Sequence, residues 1–153
     1  MHIRRHLRDT LTSTLEGIDG VRVLKTHRVS IATALADQGQ AAIIVYHVAD
    51  LPMQRVNAAI QGPRPGYRGF AFGVAAIVCD EDAEDGRLDE ISEEIERRVF
   101  APDSPLRSIA TRDIVDGGGE ISMIAVSDRA VALNTVFEFH VPMLEGVPES
   151  IAF

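Results

Sequence analysis

Ile3, Leu7, Leu11 and Leu15 recur every four residues, with Arg4, Arg5, Arg8, Asp9 and Thr12 largely off that stripe. This spacing predicts an amphipathic helix over 2–16, stopped by Gly17 and a turn at Asp19-Gly20. Val21–Leu24 (VRVL) reads as a short strand. Residues 25–38 stay ambiguous: Ile31, Ala34 and Leu35 fit one helical turn that Gly39 would close. Ala41–Val48 (AAIIVYHV) is a nearly continuous, β-branched apolar run, the pattern of a central strand covered on both faces. Pro52, Gly62, Pro63, Pro65 and Gly66 then break the periodicity, which predicts a long mobile loop over 50–66. A connection of that length in a compact domain is usually functional or mobile, so it is the first candidate for a partner surface.

Tyr67–Cys79 alternates as a long strand, with Phe70, Phe72, Val74, Ala76 and Val78 on one face. Gly69, Ala71, Gly73, Ala75 and Ile77 occupy the other, and small residues there imply close approach of another element, a helix or a neighbouring subunit. The acidic run from Asp80 to Asp85 leads into a helix over 84–99. Its buried stripe is Leu88, Ile91, Ile95 and Val99, and Arg97-Arg98 lie at the end that the helix dipole favours for cations. Glu93 with Arg97, and Glu94 with Arg98, have ion-pair spacing. Pro102 and Pro105 end this helix. A strand within 106–115, a glycine turn at 117–119 and a hairpin region built from 121–126 and 129–141 follow. Residues 142–153 form an apolar tail. The economical arrangement is a single α+β domain over 1–153: two layers, one mixed or antiparallel sheet packed by two amphipathic helices.

Composition narrows the function classes. The chain has 15 Lys+Arg against 23 Asp+Glu, a net charge of −8, and 5% aromatic residues without tryptophan. So acidic a surface repels phosphate backbones, and so few aromatics do not make a stacking platform for bases. Direct, sequence-specific nucleic-acid binding is therefore not expected. Cys79 is the one cysteine, so neither an internal disulfide nor a cysteine-based zinc site is available. No apolar run reaches the roughly 20 residues of a membrane span, and the N-terminal stretch lacks the apolar core of a secretory signal.

Searches for chemistry return little. Neither G-x-G-x-x-G nor G-x-x-x-x-G-K-[ST] occurs, nor does G-x-S-x-G. Cys79 stands just before the acidic run from Asp80 to Asp85, and negative charge raises a thiol pKa. His2 and His6 have the i, i+4 spacing of two metal ligands without a third. His27, His47 and His140 are isolated in sequence. The acidic run lacks the calcium-loop pattern. Arg55, Arg64 and Arg68, inside or beside the predicted loop, are the candidates to meet an acidic partner. No catalytic residue, metal ligand or cofactor is assigned, and the expected role is assembly with other proteins.

The ordered segments IRRHLRDTLTSTLEG, VRVL, AAIIVYHV, a long loop, YRGFAFGVAAIVCDEDAEDGRLDEISEEIERRVF and LRSIATRDIVDGGGEISMIAVSDRAVALNTVFEFHV resemble the tail terminator proteins of long-tailed bacteriophages, the minor tail protein U family. The likeness spans residues 2–141 and rests on element order and texture. It implies a virion protein, assembled in the bacterial cytoplasm and placed at the head-proximal end of the tail. Such proteins form a homohexameric ring that caps the tail tube, stops its polymerisation and presents the surface joined by the head. The implied partners are further copies of the chain, the tail tube protein and head–tail connector proteins. The resemblance implies no enzymatic activity and no cofactor. In such a ring Gly69, Ala71 and Gly73 would suit sheet contact between neighbours, and the loop would suit a tube-facing or pore-lining contact. The alternatives are a tail completion or head–tail joining protein and, from another class, a small-molecule-binding module or enzyme drawing on the five histidines and the acidic patch.

Overall fold

The computed structural model describes residues 2–25, 28–55, 65–116, 123–125 and 129–147. The elements run α1 (Ile3–Leu15), β1 (Val21–Leu24), α2 (Val29–Asp37), β2 (Ala41–Asp50), β3 (Gln54–Arg55), β4 (Pro65–Cys79), α3 (Asp80–Glu84), α4 (Arg87–Phe100), a 3₁₀ turn (Pro105–Ser108), β5 (Asp113–Asp116), β6 (Met123–Ala125) and β7 (Ala130–Leu144). The fold is α+β, with a seven-stranded mixed sheet in the order β1-β2-β4-β7-β5. β3 adds to β4, and β6 adds to β7.

Two 15-residue strands form the centre. β4 and β7 pair antiparallel over their full length, from Pro65 opposite Leu144 to Cys79 opposite Ala130. β2 takes the other edge of β4 along Phe70–Ile77, and β3 continues that edge at Gly66 and Tyr67. β1 and β2 run parallel. A parallel pair needs a crossover rather than a hairpin, and α2 supplies it.

The larger core lies between one sheet face and α1, α4 and the 3₁₀ turn. Ile3, Leu7, Leu11 and Leu15 from α1 and Leu88, Ile91, Ile95 and Val99 from α4 are all buried there. They meet Phe70, Phe72 and Val74 of β4 and Phe137, Phe139 and Val141 of β7. Phe72 and Phe139 pack edge to face at 6.0 Å, and so do Phe100 and Phe137 at 5.7 Å, the geometry that ring quadrupoles favour.

Polar straps fix the helical layer. Arg98 Nη1 donates to the carbonyl of Glu16 at 2.6 Å and that of Thr14 at 3.3 Å, which satisfies acceptors that the end of α1 leaves open. Arg87 Nη2 donates to the carbonyl of Asp19 at 2.6 Å. Both predicted pairs of α4 form, Glu93–Arg97 at 3.0 Å and Glu94–Arg98 at 2.9 Å.

Several boundaries differ from the sequence reading. Residues 25–38 hold a full helix, α2, whose buried face is Ala32 and Ala36, with Leu35 packed at its edge. Ile31 is 42% exposed. The helix closes as expected: Gly39 takes φ +82° and Gln40 N–H donates to the carbonyl of Leu35 at 2.9 Å. Only the first half of β2, Ala41–Val45, is buried, so that strand is covered on both faces for half its length. The predicted loop over 50–66 is shorter, because Asp50 ends β2, Gln54–Arg55 forms β3 and Pro65–Gly66 opens β4; its residues 56–64 lie outside the described residues. The predicted helix over 84–99 starts later. Glu84 ends α3, Gly86 turns the chain at φ +79°, and α4 begins at Arg87. The tail expected over 142–153 begins as strand, since Pro142–Leu144 completes β7 and Val147 bridges back to Leu144. Residues 148–153 lie outside the described residues, as does the glycine turn.

Candidate functional site

Among the described residues, α2 covers only half of the second face of the sheet. α2 lays Ala32 and Ala36 over Ala42, Ile44, Ile77, Ala130 and Ala132, a small separate core. Beyond α2 the strand alternation places Tyr46, Gly69, Ala71, Gly73 and Ala75 on the same face. Asn134, Val136, Glu138 and His140 of β7 lie opposite Ala75, Gly73, Ala71 and Gly69, and β5 adds Asp113 and Val115. Val48, beside the bulge that interrupts β2 pairing, is 48% exposed.

The small residues of β4 receive side chains from their own chain. A Cβ at Gly73 would overlap the Tyr46 ring, and one at Gly69 would come within 2.7 Å of Leu51 Cδ1. Ala71, between them, is buried opposite Ala49 and Glu138. The close approach anticipated for this face is therefore made by Tyr46 and Leu51, and Gly69 and Gly73 act as sockets.

Leu51 also connects these positions to the arginines. Its N–H donates to the carbonyl of Gly69 at 2.8 Å, and its carbonyl accepts from Arg68 Nε at 3.1 Å. Arg68 lines a cavity of about 250 Å³ with Met53, Met143, Leu144 and Val147. Arg55, one strand away, pairs with Glu145 at 2.7 Å. The structure thus brings Arg55 and Arg68 to one end of the sheet, beside the Gly69 end of the open face. Arg64 lies outside the described residues.

Three of the histidines serve local structure, and His27 lies outside the described residues. His2 caps α1, its Nδ1 accepting from Arg4 N–H at 3.0 Å. His47 Nε2 is 2.7 Å from Asp50 Oδ1, and Arg4 reaches the other oxygen of that carboxylate at 3.0 Å. His47 also packs edge to face on Phe72 at 5.4 Å. His140 Nε2 is 3.3 Å from Glu138 Oε2. Among the described residues no group of three or more His, Cys, Asp or Glu side chains is placed to hold a metal ion. The Cys79 thiol is held above its ordinary range, chiefly by its hydrogen bond with the Asp82 side chain, with burial and the charges of Asp82 and Glu81 adding. A thiol kept protonated is a poor nucleophile.

A cavity of about 590 Å³ runs along α1 and is lined by Arg8, Asp9, Thr12, Glu16, Leu24 and Lys25 among others. Sequence reasoning did not find it, nor the Arg112 guanidinium 5.0 Å above the Tyr67 ring. Contacts between segments far apart in sequence leave no local period to read. None of the described helices is long and apolar enough to cross a membrane.

No family model matches the chain, and no curated relative is found for it.

Proposed function

We propose that the chain is a structural subunit of a phage tail, a tail terminator that assembles as a closed ring of copies on the end of the tail tube. The observation that carries this reading is the half of the second sheet face that, among the described residues, α2 does not cover. It presents Tyr46, Ala75 and Val136, all partly exposed, near the exposed Val48 at the bulge of β2, with arginines Arg55 and Arg68 at one end. Apolar surface left open on a paired sheet is a typical place for a protein partner. The order of described elements, an amphipathic helix, strands, and a long strand running straight into an acidic helix, supports the reading.

In this role the protein does no chemistry. It binds the last ring of tube protein, leaves no site for another tube subunit and offers its far side to the head. Closure follows if successive copies meet through two different surfaces whose rotation returns to the start. The test is co-sedimentation with polymerising tail tube protein, with light scattering to give the mass of the free protein. A terminator shortens the tubes in a dose-dependent way and is found at their ends. Unchanged tube length together with no binding would overturn the reading. Binding at preformed ends without any effect on length would favour the tail completion or head–tail joining role.

A further inference from the structure

The helical layer carries its charge in two separate places. From Asp80 to Glu96 the sequence holds ten acids and one arginine. Within α4, Arg87, Glu90, Ile91, Glu94 and Arg98 line one cleft with Gly17, Ile18 and Asp19, so that flank faces the end of α1. Asp89, Glu93 and Glu96 lie on the opposite flank, roughly half a turn round the helix; all three are exposed, and Glu93 pairs with the exposed Arg97 at 3.0 Å, which leaves Asp89 and Glu96 to carry the flank's net charge. α1 shows the reverse charge. Arg4, Arg5 and Arg8, with His2, His47 and Phe72, surround a cavity of about 390 Å³; Arg4 pairs with Asp50 at 3.0 Å, Arg5 and Arg8 share Asp9 at 3.7 and 3.6 Å, so three arginines face two carboxylates, and Arg5 is 68% exposed. Arg8 also lines the cavity shared with Leu24 and Lys25, on the β1 side of the molecule. Because α1 packs over β2 while α4 packs over β4 and β7, the basic and acidic flanks look out from opposite sides of the same layer.

We propose that the basic cavity of α1 receives the Asp89–Glu93–Glu96 flank of α4 from a second copy of the chain. This inference deepens the ring reading and rests on it, since it names the surface through which copies meet. Three features support a second copy as occupant. The charges are complementary, and guanidinium forks bind carboxylates bidentately. Both flanks belong to one chain, so each copy offers a donor side and an acceptor side, the arrangement of a head-to-tail contact. The whole chain is acidic, so copies repel unless unlike patches meet, and that fixes their relative orientation.

Charge reversal with rescue tests it. One variant carries Arg5→Glu and Arg8→Glu, a second carries Asp89→Lys and Glu96→Lys, and a third carries all four substitutions. Mass is read by light scattering over a concentration series, and thermal melting checks that each variant is folded. Each two-site variant should raise the concentration at half-assembly by about tenfold or more. The four-site variant should return it to within about threefold of the parent, because the contact is restored with its polarity exchanged. Folded two-site variants that assemble like the parent would overturn this surface and leave the ring reading standing. A parent chain that stays monomeric at all concentrations would overturn the surface, and tube binding would then decide the ring reading separately. Should that monomer gain thermal stability in inorganic phosphate, the cavity is a small-anion site and not an interface.

Discussion

The two faces of the sheet are built on different principles. The face under α1 and α4 is a conventional core: large apolar side chains at every second position of β4 and β7 meet two amphipathic stripes, and nearly all of them are fully buried. The opposite face alternates in the same strands but carries glycine, alanine, asparagine and glutamate, and α2 covers only its far half. The difference teaches where stability and function separate. The first face holds the fold together, and a substitution there is felt in folding. The second tolerates an opening because its backbone is satisfied by sheet hydrogen bonds whether or not its side chains are covered.

The largest effect should come from the covered face. Leu7→Ala removes a fully buried side chain and should cost about 2–5 kcal/mol in denaturant unfolding. Ile31→Ala, on the exposed side of α2, should stay within about 0.5 kcal/mol. Equal losses at the two positions would break the comparison.

Two glycines sharpen it, Gly66 on the face of Phe70 and Phe72 and Gly73 on the opposite one. A Cβ at Gly66 would stand 2.5 Å from the carbonyl oxygen of Gln54, a backbone atom that moves only if β3 leaves β4. Gly66→Ala should therefore cost about 1–3 kcal/mol. Gly73→Ala would meet only the outer atoms of the Tyr46 ring, which can swing toward solvent. Its loss should be smaller, and Tyr46→Ala should abolish it in the double variant. If Gly73→Ala remains as costly without the Tyr46 ring, the socket is not what constrains that position.

How far these features were legible in the sequence follows from the range of each interaction. The stripes of α1 and α4 were readable because helical burial repeats locally, and the ion pairs of α4 because they join residues four apart. The need for small residues at Gly69 and Gly73 was readable, but not what fills them. Tyr46 reaches Gly73 through the β2–β4 register, and Leu51 reaches Gly69 through the chain just past β2. α2 was blurred because its buried face is alanine, which carries little apolar contrast, while its bulkiest residue, Ile31, points outward. β3 has two residues and no period. The Arg55–Glu145 pair spans 90 positions, as invisible to local pattern as the carbonyls that Arg98 caps.

A smaller effect concerns acid. The Arg98 guanidinium, hydrogen-bonded to Glu94, holds this carboxyl below the ordinary 4.5, with the charge of Arg97 helping. A lowered folded-state pKa stabilises the protein above the unfolded-state value, and that contribution disappears as pH falls through the folded-state value. The pair is partly exposed, so its share is a fraction of a kcal/mol. Glu94→Gln should flatten the stability profile on the acid side of pH 4.5 and leave the slope near neutrality unchanged. An identical acid limb in the variant would show that Arg98 does not select the charged form.

The smallest effect on folding should come from the open face, where the largest effect on assembly is expected. Val48 is 48% exposed beside a bulge, so Val48→Asp removes little buried surface and should change stability by no more than about 0.5 kcal/mol. If the open half-face meets the tube protein, the same substitution places a charge within an apolar contact. Desolvating an unpaired carboxylate there would weaken binding far more than it weakens the fold. Unchanged melting with lost tube binding would assign this face to the partner. Unchanged melting with full tube binding would move the contact elsewhere, to the end of the sheet where Arg55 and Arg68 gather. Loss of both would mean that Val48 supports the fold and that the two faces differ less than their packing suggests.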